Sequence, residues 1–211
     1  MKKSGREGED LLNITNSPLL LVLSGLSGAG KDAVLSRMKE LGIPLEFIVT
    51  VTTRPQRPNE IDNIDYHFIS EASFQKMIAD KELLEWANVY SNWYGVPKKP
   101  LKQALDRGQD VMVKVDIQGA NTIKKILPEA VFIFLIAPSM QELTARLRQR
   151  NTESKTDLDL RLKTANEEMK KLHSFDYIVV NKQEQIDSVV SDIKAIITAE
   201  KLRATPREYN L

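Results

Sequence analysis

The amino-acid sequence predicts an α/β fold: a central parallel sheet flanked by helices on both faces and interrupted by a strand-rich insertion. Three observations carry this. The apolar run Leu19-Leu20-Leu21-Val22-Leu23-Ser24 leads directly into Gly25-Leu26-Ser27-Gly28-Ala29-Gly30-Lys31-Asp32, and then into the helical spacing Val34, Leu35, Met38, Leu41. From residue 101 to 201, continuous apolar stretches alternate with amphipathic ones, as strands buried on both faces alternate with their covering helices. Between these parts, residues 50–98 carry short β-prone segments separated by turn residues.

Each element has its own local signal. Residues 1–17 are polar and charged and read as a flexible tail ahead of the domain at 18–202. Ile48-Val49-Thr50-Val51-Thr52 is β-branched and reads as one strand, which runs into a loop stiffened by Pro55 and Pro58. A short strand at Tyr66–Ile69 precedes a helix over Ser73–Lys81, with Phe74, Met77 and Ile78 on one face. Leu83–Tyr90 and Trp93–Val96 read as β-structure broken by a turn at Ser91-Asn92. The core thus spans 18–49 and 99–202, with a lobe at about 50–98.

The alternation then resumes. Leu101–Arg107 reads as a helix ended by Gly108, and Val111–Asp116 as a buried strand ending in a carboxylate. Thr122–Ile126 reads as a short helix and Val131–Ile136 as a strand. A helix at Met140–Gln149 is followed by a polar stretch, Asn151–Asp157, and a long helix from Leu158 to His173. The strand Tyr177–Val180 and a helix over Ile186–Lys201 complete the domain, and 203–211 reads as a loose C-terminal tail.

Composition narrows the function classes. A chain of 211 residues that is 42% hydrophobic can bury one sizeable core. Its net charge of +1 gives no global electrostatic case for nucleic acid or membrane as partner. The absence of cysteine excludes disulfides and thiolate-held metals, and two histidines leave little for a zinc site. The charged start has no apolar signal-peptide core, and no apolar run is long enough to span a membrane, so a soluble, cytoplasmic protein is expected.

The segment Gly25–Lys31 has the G-x-x-x-x-G-K spacing of a phosphate-binding loop. Its glycines let successive backbone N–H groups converge on one phosphate chain, and the following helix adds its positive dipole end. Lys31 supplies a mobile cation for the outer phosphates. The hydroxyl residue that usually follows the lysine, where it ligates Mg²⁺, is replaced by Asp32. A carboxylate is a competent ligand for a hard cation, and it also sets negative charge beside bound phosphate.

At this point the chain resembles the guanylate kinases, P-loop nucleoside-monophosphate kinases that transfer the γ-phosphate of ATP to GMP. The similarity covers roughly residues 18–200 in unbroken order. Besides the loop, it rests on Thr50-Val51-Thr52-Thr53-Arg54-Pro55-Gln56-Arg57-Pro58-Asn59-Glu60, Asp65-Tyr66-His67-Phe68, Leu84-Glu85-Trp86-Ala87 and Trp93-Tyr94-Gly95-Val96-Pro97. It continues through Val115-Asp116-Ile117-Gln118-Gly119-Ala120, Ala145-Arg146-Leu147-Arg148-Gln149-Arg150, Arg161-Leu162 and Phe175–Asn181.

The resemblance implies the P-loop NTPase fold with a GMP-binding insertion and a helical lid at about 146–161. It implies ATP with Mg²⁺ on Gly25, Leu26, Ser27, Gly28, Ala29, Gly30, Lys31 and Asp32, with Asn181 near the adenine. GMP falls to Thr50, Arg54, Arg57, Glu60, Tyr66, Glu85, Tyr94 and Asp116. Arg54 and Arg57, three apart on a stiffened loop, are able to converge on one phosphate with bidentate bonds, although an arbitrary R-x-x-R is more often two solvated arginines. Glu85 is the expected guanine reader, because a carboxylate accepts from both N1–H and the exocyclic amine, a pair adenine lacks. Lys31, Arg146, Arg150 and Arg161 are the expected cations of transfer. Asp32 and Asp116 are the candidate metal ligands; Asp116 is equally readable as the cap of the turn into Gln118-Gly119. His67 and His173 read as structural.

Two further positions depart from the family pattern. Val96 stands where a hydroxyl residue commonly meets the base, and Lys114 replaces the first acid of a D-x-D pair. They leave one other reading open, a P-loop kinase acting on another phosphorylated acceptor such as a ribose phosphate. A second alternative is a non-catalytic guanylate-kinase-like module that binds phosphopeptides, against which Lys31 and the lid arginines stand. ATP and GMP remain the expected partners, and the oligomeric state is not legible.

Overall fold

A computed structural model describes residues 17–149, 155–182 and 184–209. The expected N-terminal tail up to residue 16 lies outside the described residues, as does Arg150. The first unit is β1 (Leu20–Gly25), α1 (Lys31–Glu40) and β2 (Glu46–Ile48). An insertion follows, made of β3 (Val51–Thr52), β4 (His67–Phe68), α2 (Glu71–Ala79), β5 (Leu83–Val89) and β6 (Asn92–Pro97). The chain continues through α3 (Lys98–Asp106), β7 (Val111–Lys114), α4 (Ile117–Ile126), β8 (Val131–Ile136), α5 (Met140–Gln149), α6 (Lys155–Met169), β9 (Tyr177–Val180) and α7 (Ile186–Lys201).

Five strands form the parallel sheet, in the order β2-β7-β1-β8-β9. β1 lies at its centre, and its side chains alternate between two cores. Leu19, Leu21 and Leu23 face one, with Val34, Met38, Ile133 and Val190. Leu20 and Val22 face the other, with Leu101, Val113, Ile123 and Phe132. A strand covered on both faces has no polar alternation, which is why β1 and β8 read as unbroken apolar runs. The loops that leave the carboxyl ends of β1 and β7 emerge side by side, and in open α/β sheets that edge is where ligands bind.

The run 48–52 is not one strand. Ile48 ends β2 in the parallel sheet, paired with Val113, whereas Val51 begins β3 in a second sheet of order β4-β3-β6-β5. Val49 and Thr50 carry the chain from one sheet to the other, and the Thr50 carbonyl accepts from His67 N–H at 2.9 Å. Residue type made this stretch β; only pairing decides that it serves two sheets.

The β5–β6 hairpin turns on Tyr90 and Ser91, both at positive φ (50° and 63°), as a two-residue primed turn demands. α4 begins at Ile117, five residues before the expected helix, because Asp116 caps it: its Oδ1 accepts from Gly119 N–H at 2.9 Å.

Residues 203–209, expected as a loose tail, are anchored. Arg207 binds Glu200 through Nε and Nη2 at 2.8 and 2.9 Å, and the Tyr177 hydroxyl donates to the same carboxylate at 2.7 Å. Leu20 N–H donates to the Tyr209 hydroxyl at 3.0 Å. Glu200 is buried, so a cation and a hydroxyl that satisfy it hold the segment in place. We expect Arg207→Ala to lower the unfolding free energy by about 2 kcal/mol, because it removes the two-pronged cation from a buried carboxylate and leaves it to Tyr177 and the more distant Arg203. Urea unfolding at neutral pH measures this, and a change under about 0.5 kcal/mol contradicts it.

Candidate active site

A cleft of about 360 Å³ opens between the loop after β1, the end of β7, the insertion and α6. It is lined by Gly25, Ser27, Gly28, Gly30, Lys31 and Asp32 on one side. Thr50, Arg54, Arg57, Tyr66, Glu85 and Tyr94 face them from the other, with Lys114 and Asp116 at the floor and Arg161 and Glu168 from α6. Most of the residues expected at the site are therefore brought together.

The loop's shape follows from its glycines. Gly28 and Gly30 have φ of 87° and 94°, a region that L side chains rarely adopt. A Cβ on Gly30 would lie 2.5 Å from Asn181 Nδ2. α1 starts without a side-chain cap, which leaves its first-turn N–H groups to an anionic ligand. Lys31 Nζ donates back to the carbonyls of Gly25 and Leu26 at 2.6 and 3.2 Å. Burial pulls its pKa down against the opposing pull of Asp32, Glu168 and Asp116.

Leu26 and Ala29 are buried in the core and contribute backbone rather than side chain. Asn181 and Arg146 stand behind the loop. Asn181 Nδ2 donates to the Ala29 carbonyl at 2.7 Å, while Arg146 donates to the Asn181 carbonyl at 2.7 Å and pairs with Glu142. Neither is among the residues lining the cleft. Arg161 does line it, donating to Ser27 Oγ at 3.0 Å and lying 4.9 Å from the Tyr90 ring centre.

Across the cleft, Arg54 and Arg57 are gathered by Glu60. Arg54 makes a two-pronged pair with it at 3.0 and 2.8 Å, and Arg57 N–H donates to Glu60 Oε2 at 2.9 Å. Glu60 is thus turned onto the arginines and does not line the cleft. Tyr66 and Tyr94 meet edge to face at 6.1 Å between ring centres. Arg54 lies 5.4 Å from the Tyr66 ring, a contact that fixes its guanidinium further. Val96 is fully buried in the core; it pairs with Glu85 across the β5–β6 hairpin, so its side chain leaves the sheet on the same face as Glu85, although it is not among the residues lining the cleft.

Glu85 is 3% exposed, and its Oε2 is buried without a hydrogen-bond partner. Burial, reinforced by the charge of Asp116, pushes its pKa up to about 8. α4 approaches this carboxyl so closely that a Cβ on Gly119 would lie 2.7 Å from Oε2. Gly119 is therefore a space-making residue of the site. Its place after a capping acid was visible in the sequence; its distance from Glu85 was not.

Glu168 is a cleft residue that sequence reasoning missed. Burial raises its pKa to about 7, the nearby Lys31 opposing the shift, and its Oε2 has no partner. The only sequence signal is an acid on a helix otherwise read as a simple amphipathic element.

Fold and cleft together define a protein of the P-loop NTPase fold, with an arginine-lined pocket facing the loop. The family model for guanylate kinase matches residues 17–200. Guanylate kinase 2, chloroplastic/mitochondrial, of Oryza sativa subsp. japonica is 44% identical over 195 residues, which cover 92% of this chain and 68% of that protein. The guanylate kinase of Carboxydothermus hydrogenoformans is 43% identical over 192 residues, covering 91% and 92%. The crystal structure of guanylate kinase from Anaplasma phagocytophilum matches with a TM-score of 0.74 at 32% identity, covering 89% of this chain and 88% of that one. The chain belongs to the guanylate kinase family.

The raised pKa of Glu85 carries a stability prediction. Its folded pKa lies above the ordinary value of 4.5, so the ligand-free protein loses stability as pH rises from about 4.5 to about 8. Glu85→Gln removes that loss. Its stability relative to wild type is expected to rise by on the order of 2 kcal/mol between pH 5 and pH 8 in urea unfolding. A difference that stays constant with pH contradicts a buried, protonated Glu85.

Proposed function

We propose that the protein transfers the γ-phosphate of ATP to GMP, giving ADP and GDP. The observation that carries this is the pairing of a phosphate loop with a facing pocket that holds both an arginine pair and a buried, unsatisfied carboxyl. A purine monophosphate with a donor edge meets both needs. Arg54 and Arg57, already oriented by Glu60, take its phosphate. Glu85 accepts from guanine N1–H and the exocyclic amine and becomes ionised as it does so. Adenine would leave the same carboxyl unpaired.

ATP lies along Gly25–Asp32, with its phosphates on the loop N–H groups and the start of α1. Lys31 leaves the loop carbonyls for the outer phosphates. A GMP phosphate oxygen attacks the γ-phosphorus in line, and the bond to the ADP oxygen breaks. Lys31 and Arg161 meet the charge on the transferred group, with Arg150 as a further cation from the lid. No general base is needed, because the attacking oxygen is already anionic near neutral pH. Arg146 and Asn181 act by holding the loop from behind.

The donor set fits Mg²⁺ that arrives with the nucleotide. Asp32 and Asp116 are hard oxygen donors in the cleft, and among the described residues no group of three or more His, Cys, Asp or Glu forms a cage of its own. Bound there, the ion would neutralise phosphate charge. No helix among the described residues is long and apolar enough to cross a membrane.

A coupled ADP-release assay with ATP and Mg²⁺ tests this with GMP, AMP, UMP and no acceptor in parallel. Turnover is expected with GMP, with AMP at least about 100-fold less efficient. Glu85→Gln is expected to cut kcat/KM for GMP by roughly 100-fold. Equal rates with AMP, or turnover only with a phosphorylated sugar, contradict the assignment.

A further inference from the structure

Two cleft residues of opposite charge, Asp32 and Lys114, meet in space. Lys114 Nζ lies 2.5 Å from Asp32 Oδ1, although 82 residues separate them in the chain. The register of the parallel sheet makes this possible. Leu23 pairs with Lys114, so β7 ends beside the strand that launches the loop, and Asp32 stands in the first turn of α1. The Lys114 side chain is 10% exposed and Asp32 49%, and both line the cleft. The Lys114 ammonium also lies 3.9 Å from the centre of the Tyr66 ring, which belongs to the acceptor side.

An acid in the first turn of α1 is favourable for the empty helix but competes with phosphate for the same positive end. A cation fixed beside it by the fold removes the conflict. We propose that Lys114 and Asp32 are a matched charge pair of the transfer site: Lys114 neutralises the carboxylate that stands beside the phosphate loop, so nucleotide affinity depends on the pair rather than on either residue. Lys114 is a positioning residue in this scheme. It acts on the nucleotide through Asp32, and its contact with Tyr66 ties the donor side to the acceptor side. The proposal rests on the assignment of the loop as the ATP site, but not on GMP as acceptor.

The test is a double-mutant cycle read by calorimetric binding of ADP without Mg²⁺, so neither catalysis nor the acceptor enters the readout. Lys114→Met is expected to weaken ADP binding by about 30-fold, because it removes the cation held on Asp32 Oδ1 beside the phosphates. Asp32→Asn, which leaves Lys114 as an excess cation beside the phosphates, is expected to tighten ADP binding by about 10-fold, and the double variant to return within about 3-fold of wild type. Lys114→Arg, which keeps the charge, is expected to bind within about 3-fold of wild type and serves if Lys114→Met does not fold. Unchanged affinity in Lys114→Met, or a double variant as weak as Lys114→Met alone, overturns the proposal. If ADP binds and follows the cycle while GMP is not phosphorylated, the pair stands and the acceptor assignment falls.

Discussion

A carboxyl placed inside the protein with one oxygen unsatisfied costs free energy, and the acceptor side of the cleft is organised around that cost at Glu85. β5 delivers the side chain into the interior, opposite Val96 of β6. α4 then closes over it, which is possible because Asp116 caps the helix and Gly119 has no side chain to collide with the carboxyl. The same capping residue adds to the electrostatic pressure that keeps Glu85 protonated. Each of these features is small in isolation; together they hold a hydrogen-bond acceptor in reserve for a ligand.

The donor side solves a different problem, that of gathering positive charge and free N–H groups without collapsing in the absence of phosphate. Lys31 rests on the loop carbonyls, and Arg161 rests on Ser27 and Tyr90. On the acceptor side Glu60 plays the comparable part for Arg54 and Arg57. The cations are thereby oriented before substrate arrives, which lowers the ordering cost at binding. Asp32 and Lys114 extend the same logic to the seam between the sites.

Much of this was legible in the sequence where the signal is local. The strand, loop and helix at 19–41 follow from an apolar run, glycine spacing and helical periodicity, all within one stretch of chain. The cleft residues on the insertion followed from motif resemblance. What was not legible depends on distance through the fold. Periodicity could not show that 48–52 splits between two sheets, since both halves are β-prone. The closeness of Lys114 to Asp32 depends on the register of β7 against β1. Arg146 and Asn181 carry groups suited to ligand contact, and their hydrogen bonds to the Ala29 carbonyl and to one another join α5 and the end of β9 to the loop, contacts that no sequence spacing shows. Arg207 and Tyr209 looked like a tail because neither apolar spacing nor turn chemistry marks them. Their partners, Glu200 and the first residue of β1, become apparent only when the chain is folded.

The measurement that bears most directly on this account is the proton balance of GMP binding. Calorimetric titrations at pH 7 in buffers of different ionisation enthalpy give the number of protons released. With Glu85 protonated in the free protein and ionised against guanine, close to one proton is released per GMP in the wild type, and that release is lost in Glu85→Gln. Equal proton release in the two proteins would contradict the reading of Glu85 as the guanine acceptor.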